Sequence, residues 1–195
     1  MGSVSLKYKS KSGNLTAPGD VDLGAMIPIA TVTVGTSQST ITFSSIPQNY
    51  EHLQLRWIAR SDRAQTQDFV DIRLNSDTGA NYSAHLLYGD GAAASAAAYV
   101  SNTSVGLIFM PAASSTASVF SVGVMDILDY TNTNKYTTTR TLGGADINGS
   151  GRIVLGSGVW MNTAAVTTLT IITDNASTFT QYSSFVLYGI KRAGA

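Results

Sequence analysis

EHLQLRWIAR, Glu51 to Arg60, decides the fold class. Leu53, Leu55, Trp57 and Ala59 fall on one side of a period-two ladder, while Gln54, Arg56 and Arg60 fall largely on the other. Successive side chains leave an extended backbone in opposite directions, so alternation of this kind marks a strand with one buried and one solvated face. Trp57, on the apolar side, is expected in the core. The rule works outward from there. Upstream, IATVTV and STITF alternate β-branched residues around GTSQ. Downstream, DFVDIRLN sets Val70, Ile72 and Leu74 against Asp71 and Arg73. SVFSVGVMDILDY offers Phe120, Val122 and Val124 to one side until Asp126 interrupts the row. KYTTTRTLGG, RIVLGSGVW, AVTTLTIIT and YSSFVLYGI follow, each bounded by Asn, Gly, Ser or Asp.

Roughly ten short strands, with turns about every 8 to 12 residues, predict an all-β fold: a jelly-roll-like antiparallel β-sandwich. GAAASAAAYV, Gly91 to Val100, has helix propensity but sits in a low-complexity Ala/Gly/Ser stretch. It is expected to be a long loop with at most a turn or two of helix. GSG, Gly156 to Gly158, reads as a bulge or turn inside a β segment. Residues 1–28 form an expected extended N-terminal arm, broken at Pro18 and Gly19, and residues 29–195 form the sandwich. The arm has few apolar groups and needs a neighbour to order it. Val4, Leu6 and Tyr8 share one face of a short strand there and are its expected docking anchors, with Lys7, Lys9 and Lys11 opposite.

Composition narrows the function classes. The chain has 195 residues, 44% hydrophobic but only 12% charged, with net charge +0. The charged share is about half the usual figure of roughly 25%. Such a surface lacks the basic footprint that nucleic acid or an anionic membrane requires. Polarity comes from Ser, Thr, Asn and Gly. With no cysteine, disulfides, thiolate metal sites and cysteine nucleophiles are excluded. No stretch approaches the roughly 18 apolar residues of a membrane-spanning helix. The opening MGSVSLKYKSKSGN lacks the apolar region of a signal peptide, so ordinary secretion is not the expected route.

RLNSDTGANYSAH, Arg73 to His85, is the stretch most like a site. A calcium loop needs more carboxylates than Asp77 alone among Asn75, Asp77 and Asn81. A hairpin turn is the expected reading, with Asn75 and Asp77 capping amides, Gly79 supplying a positive φ and Tyr82 packed alongside. Asp68 with Asp71, and Asp126 with Asp129, have the wrong parity for a glycosidase pair on one strand face. An acidic group beside Arg56, Arg73 or Arg152 is expected in a cross-strand ion pair. His52 and His85 have no recognisable partner, and no nucleophile elbow appears in the right context. No catalytic residue, metal or cofactor is expected. Aromatic rings near loops can stack on sugars. Tyr82, Tyr88 and a half-exposed Trp160 are the expected glycan contacts, chosen from a set that also held Trp57, Tyr99 and Tyr130.

Three segments carry a resemblance: Tyr50, Leu53 and Leu55; Arg73, Asn75, Asp77, Asn81, Tyr82 and Ser83; and Leu187, Tyr188, Gly189 and Ile190. Together they resemble the small β-sandwich virion proteins of tailed bacteriophages, of the marine and cyanobacterial kind. The Lys-rich opening VSLKYKSKSGN is similar to the N-terminal tag of some tail proteins in that group. The resemblance implies a non-enzymatic structural protein located in the virion, a homotrimer bound to other tail or capsid proteins. It implies a tail-fibre or baseplate appendage that reaches host surface glycans. The alternative role it implies is a capsid decoration protein that stabilises the head.

Overall fold

The computed structural model describes residues 25–192. Val4, Leu6, Tyr8 and the rest of the expected arm up to residue 24 lie outside them. Twelve strands follow: β1 (Met26–Thr33), β2 (Thr40–Phe43), β3 (His52–Ala59), β4 (Gln67–Leu74), β5 (Tyr82–Gly89), β6 (Ala94–Asn102), β7 (Val105–Pro111), β8 (Ser121–Leu128), β9 (Thr137–Asp146), β10 (Gly151–Trp160), β11 (Leu169–Thr173) and β12 (Ser184–Ile190). There is no helix among the described residues. The strands form an eight-stranded sheet, β1-β12-β3-β8-β9-β10-β5-β6, and a four-stranded sheet, β2-β11-β4-β7. All pairings are antiparallel, and four of them nest in one another: β1 with β12, β2 with β11, β3 with β8 and β4 with β7. The hairpins β5–β6 and β9–β10 are inserted into this winding, and both extend the large sheet.

The opening stretch folds as its alternation dictates. Leu53, Leu55, Trp57 and Ala59 are buried, and Arg56 and Ile58 are exposed. Across the sheet Leu55 lies opposite Leu187 and Trp57 opposite Phe185, so the same face continues into β12. Trp57 also lies opposite Gly123, and a Cβ built there would stand 2.0 Å from the indole. Only a glycine leaves room for that ring. Arg60 departs from its expected outward face. It is 9% exposed and donates to the carbonyls of Thr116, Val119, Ala112 and Ser115, pinning the β7–β8 loop to the sheet.

Three local expectations are corrected. The loop expected at Gly91–Val100 is largely strand β6, paired to β5 with Leu86 opposite Ala97 and Tyr88 opposite Ser95. Alanine is the best helix former, but propensity is a weak determinant, and pairing along the open edge of β5 outweighs it. Asp90 Oδ1 accepts the amides of Ala92 and Ala93 at 2.9 Å each, and Gly91 takes φ 91°, which closes the hairpin. Gly156 and Gly158 do not form a bulge; they sit in unbroken register in β10. A Cβ at Gly158 would stand 2.2 Å from Val105, so that glycine permits close approach of the two sheets. Finally, β1 begins at Met26, so Met26 to Pro28, expected in the arm, pair with Ile190 to Tyr188.

Candidate functional site

The Asp77 turn joins two different sheets, since β4 lies in the small sheet and β5 in the large one. It is a corner between layers, not the hairpin expected. The left-handed residues are Asn75 (φ 51°) and Ser76 (φ 54°), and Asp77 N–H donates to Leu74 O at 3.0 Å. Two consecutive positive φ values inside a closed four-residue turn make a type I′ geometry. Gly79 is not among the positive-φ residues; a Cβ there would meet Asn81 Nδ2 at 2.7 Å. Asp77 Oδ1 accepts Gly79 N–H at 2.8 Å, while Oδ2 accepts Asn81 Nδ2 at 2.9 Å and the indole N–H of Trp160 at 2.7 Å. The hydrogen bonds from Trp160, Asn81 and Gly79 hold the Asp77 carboxyl below its ordinary range. Asn75 clamps the 165–168 loop through Ala165 O and the amides of Thr167 and Thr168.

The expected glycan contacts therefore separate. Tyr82 and Trp160 stack with ring centroids 6.4 Å apart and are buried, at 0% and 1% exposure. The Tyr82 hydroxyl accepts the N–H of Leu74 at 3.0 Å. No sugar reaches either ring, because the corner has folded over both. Tyr88 is half-buried, and Tyr99, set aside in the narrower choice, is exposed. Tyr130 is fully buried.

Nor do the acidic groups assemble as expected. Asp126 takes Gln54 Nε2 at 2.8 Å and Arg140 at 2.6 Å. Asp68 is buried and engaged by Phe69 N–H, Asn175 and Ser177. Among the described residues, the ion pairs of Arg side chains are Arg140–Asp126 and Arg192–Glu51. Arg56, Arg73 and Arg152 form none: Arg56 lies over the Tyr188 ring, Arg73 donates to Thr103 O, and Arg152 lies over two rings. His52 has a partner after all, its Nδ1 accepting Asp129 N–H at 3.0 Å. Glu51, His52 and Asp129 bring ligand-type atoms within 4.8 Å of one another. Lys135 on Asp129 and Arg192 on Glu51 already balance those carboxylates.

The structure instead assembles a crevice of about 360 Å³ where the β5–β6 hairpin overhangs the edge of the small sheet. Asp71 lies at its floor, where the β4–β7 register shifts between Val70 and Ile72. Opposite the shift, Gly106 has φ 138° and Leu107 φ 51°. A branched residue at positive φ costs of order 1–3 kcal/mol, so the surroundings must hold it. Asp71 Oδ1 does so by accepting Leu107 N–H at 2.7 Å. Burial pushes the Asp71 carboxyl up to about 6; the Leu107 amide opposes, Asp174 adds to the rise, and Ser104 and Arg73 oppose. Tyr88, Tyr99, Asn102 and Arg152 line the walls. The Arg152 guanidinium lies 4.7 Å from the Tyr88 centroid and 5.9 Å from that of Phe109. The alternation places Asp71 on the polar face with Arg73, and its burial departs from that reading; the signal available is a lone carboxylate in the apolar run FVDI.

On the opposite face of the large sheet, apolar side chains lie in cross-strand rows. One row runs Val124, Leu142, Leu155, Leu87 and Ala96; the next holds Ile58, Val122, Gly144, Ile153 and Gly89. Ile58, Leu87, Val122, Leu142, Ile153 and Leu155 are each between 46% and 61% exposed. The glycines leave a depression of about 870 Å³ between Val122 and Ile153. The third row, Gln54, Asp126, Arg140, Ser157 and His85, is polar and carries both signs. No protein-family model, curated protein or solved structure matches this chain.

Proposed function

We propose that the chain is a non-enzymatic structural protein of a virion, a tail-fibre or baseplate appendage. Its nested strand order is read as a jelly roll with two inserted hairpins. Its N-terminal arm docks it to other virion proteins through Val4, Leu6 and Tyr8, and its loops face host glycans. The observation that carries the assembly role is the aliphatic face on the large sheet. Monomers seldom expose contiguous apolar patches beyond roughly 300–600 Å². Six half-exposed aliphatic side chains, with Val124 and Ala96 beside them, make a patch on that scale. Adding the mixed-charge row as a rim gives the apolar core and polar border of an interface of about 800 Å² per partner. The occupant proposed is a second copy of this chain, in a homotrimer. The carboxylates support the absence of catalysis, since Asp68, Asp77 and Asp126 are committed to structural donors.

Sedimentation of the full chain tests the assembly. Trimers that dissociate on Leu142→Glu or Leu155→Glu are expected; a wild-type monomer at high micromolar concentration refutes it. Antibody labelling of particles tests the setting. Label on the tail is expected, and label on the head selects capsid decoration instead.

A further inference from the structure

We propose that the crevice under the β5–β6 overhang binds a neutral saccharide ring, stacked on Tyr99 and hydrogen-bonded by Arg152, Asp71 and Asp174. This deepens the glycan-contact part of the function proposed above, but its chemistry stands independently of where the protein sits in a particle.

The inserted hairpin makes the site. The eight-stranded sheet outruns the four-stranded one: β5 still touches β7, with Tyr82, Ala84 and Leu86 buried, and the inner face of β6 continues past it at the sheet edge. In a closed sandwich that face would be filled with aliphatic residues. Here it carries Tyr88 and Tyr99, and the small sheet answers with Asp71. A crevice of about 360 Å³ is at the lower end of the roughly 300–1,000 Å³ typical of small-molecule sites. That is room for one or two sugar rings.

A sugar ring asks for three things, and the crevice has each. Its C–H face needs an aromatic surface. Tyr99 is 37% exposed and free to offer one, whereas a face of Tyr88 is already covered by Arg152. Its hydroxyls need donors. Arg152 lies over the Tyr88 and Phe109 rings, and among the described residues its guanidinium makes no hydrogen bond to a protein oxygen. Ring contacts of this kind use none of the five guanidinium N–H donors, which are left for a ligand. The hydroxyls also need acceptors. Asp174 is exposed at the rim, and the Asp71 carboxylate lies at the floor. A hydroxyl donates and accepts at once, so a wall with both kinds of group suits it better than a wall of one kind. Charge decides between sugar classes. Two carboxylates against one guanidinium disfavour a uronate or a phosphorylated sugar and leave a neutral ring as the ligand.

The probes are the methyl glycosides of glucose, mannose and galactose, titrated into the full-length protein by calorimetry or ligand-observed NMR, with glucuronate as the charged comparison. At least one neutral glycoside should bind with a millimolar Kd. Tyr99→Ala should weaken it by about tenfold or more, roughly the value of one good contact. Arg152→Ala should weaken it as well. Tyr136→Ala, an exposed tyrosine at the far end of β9, should leave it unchanged. The proposal is overturned if no neutral glycoside binds, if Tyr99→Ala binds as well as wild type, or if glucuronate binds more tightly than the neutral sugars. A head location or a monomeric chain would defeat the function proposed above and leave this binding intact.

Discussion

Replacing Asp77 by alanine should do more damage than its half-exposed position suggests. The carboxylate accepts three hydrogen bonds, from Gly79 N–H, Asn81 Nδ2 and Trp160 Nε1. Bonds to a charged group contribute about 1.5–3 kcal/mol each in favourable settings. Gly79 and Asn81 are partly solvated, so water replaces much of what they lose. Trp160 is 1% exposed, and its N–H would be left without an acceptor, which costs about 1–3 kcal/mol by itself. The sum is about 3–4 kcal/mol. For a domain of this size each kcal/mol shifts Tm by about 2–4 °C, so a drop of roughly 10 °C is expected. Asp77→Asn should recover little, because Oδ2 serves two donors and Oδ1 serves a third, so an amide nitrogen at either position faces a donor. The depressed Asp77 carboxyl contributes stability above its unfolded pKa of about 3.8, lost as pH falls through the folded value. The gap between wild type and Asp77→Asn should therefore close in acid. The assay is urea unfolding of wild type, Asp77→Ala, Trp160→Phe and the double variant. A coupling energy near 1–2 kcal/mol between the two positions is expected. Additive effects, or an Asp77→Ala loss below about 1 kcal/mol, would refute the account of the corner.

Trp57→Ala should cost on the order of 3–5 kcal/mol by chemical denaturation. Trp57→Phe should cost far less, since Trp57 Nε1 has no hydrogen-bond partner and phenylalanine removes that orphan. Asp71 is pushed up to about 6, so folding takes up a proton between pH about 4 and 6 and its contribution falls as pH rises through that window. The span corresponds to about 3 kcal/mol, and Asp71→Asn, which keeps an oxygen for Leu107 N–H, should flatten that part of the stability–pH curve. If the arm docks the protein as proposed, removing residues 1–24 should leave melting unchanged while abolishing incorporation into particles. Removing 1–28 should also lower Tm, because Met26 to Pro28 pair with β12.

Alternation reports which face of a strand is buried, and it reported this well for β3, where Leu53 to Ala59 behave as their spacing demands. It carries no information about which sheet a strand joins. That is why the turn after β4 was legible as a turn but not as a passage between layers. The burial of Trp160 depends on Asp77, which lies 83 positions away in the chain and on another element. No local pattern contains that pairing. The β6 strand was hidden differently. Its alanines carry no alternation because both faces take small residues, and the remaining cue was the Asp90–Gly91 pair that turns the hairpin. Asp71 was visible as a carboxylate in an apolar run, but the register shift that buries it is a property of two strands together.

Both surfaces to which we assign roles depend on the inserted hairpins. Without β5–β6 and β9–β10, the nested strands would leave two four-stranded sheets, β1-β12-β3-β8 and β2-β11-β4-β7, matched in width. Matched sheets cover each other's inner faces and leave no overhang. Adding four strands to one sheet alone creates surplus area on its outer side and, beyond β9 and β10, which pack on β7, on its inner side. On the inner side the surplus becomes the crevice beneath β5 and β6. On the outer side it supplies Leu142, Ile153, Leu155 and Leu87, four of the six most prominent exposed aliphatic positions in the apolar rows. A sheet widened in this way would expose apolar area at a cost in solubility if it stayed alone. Assembly through the outer face removes that cost and leaves the crevice, on the inner side of the same strands, open to a ligand.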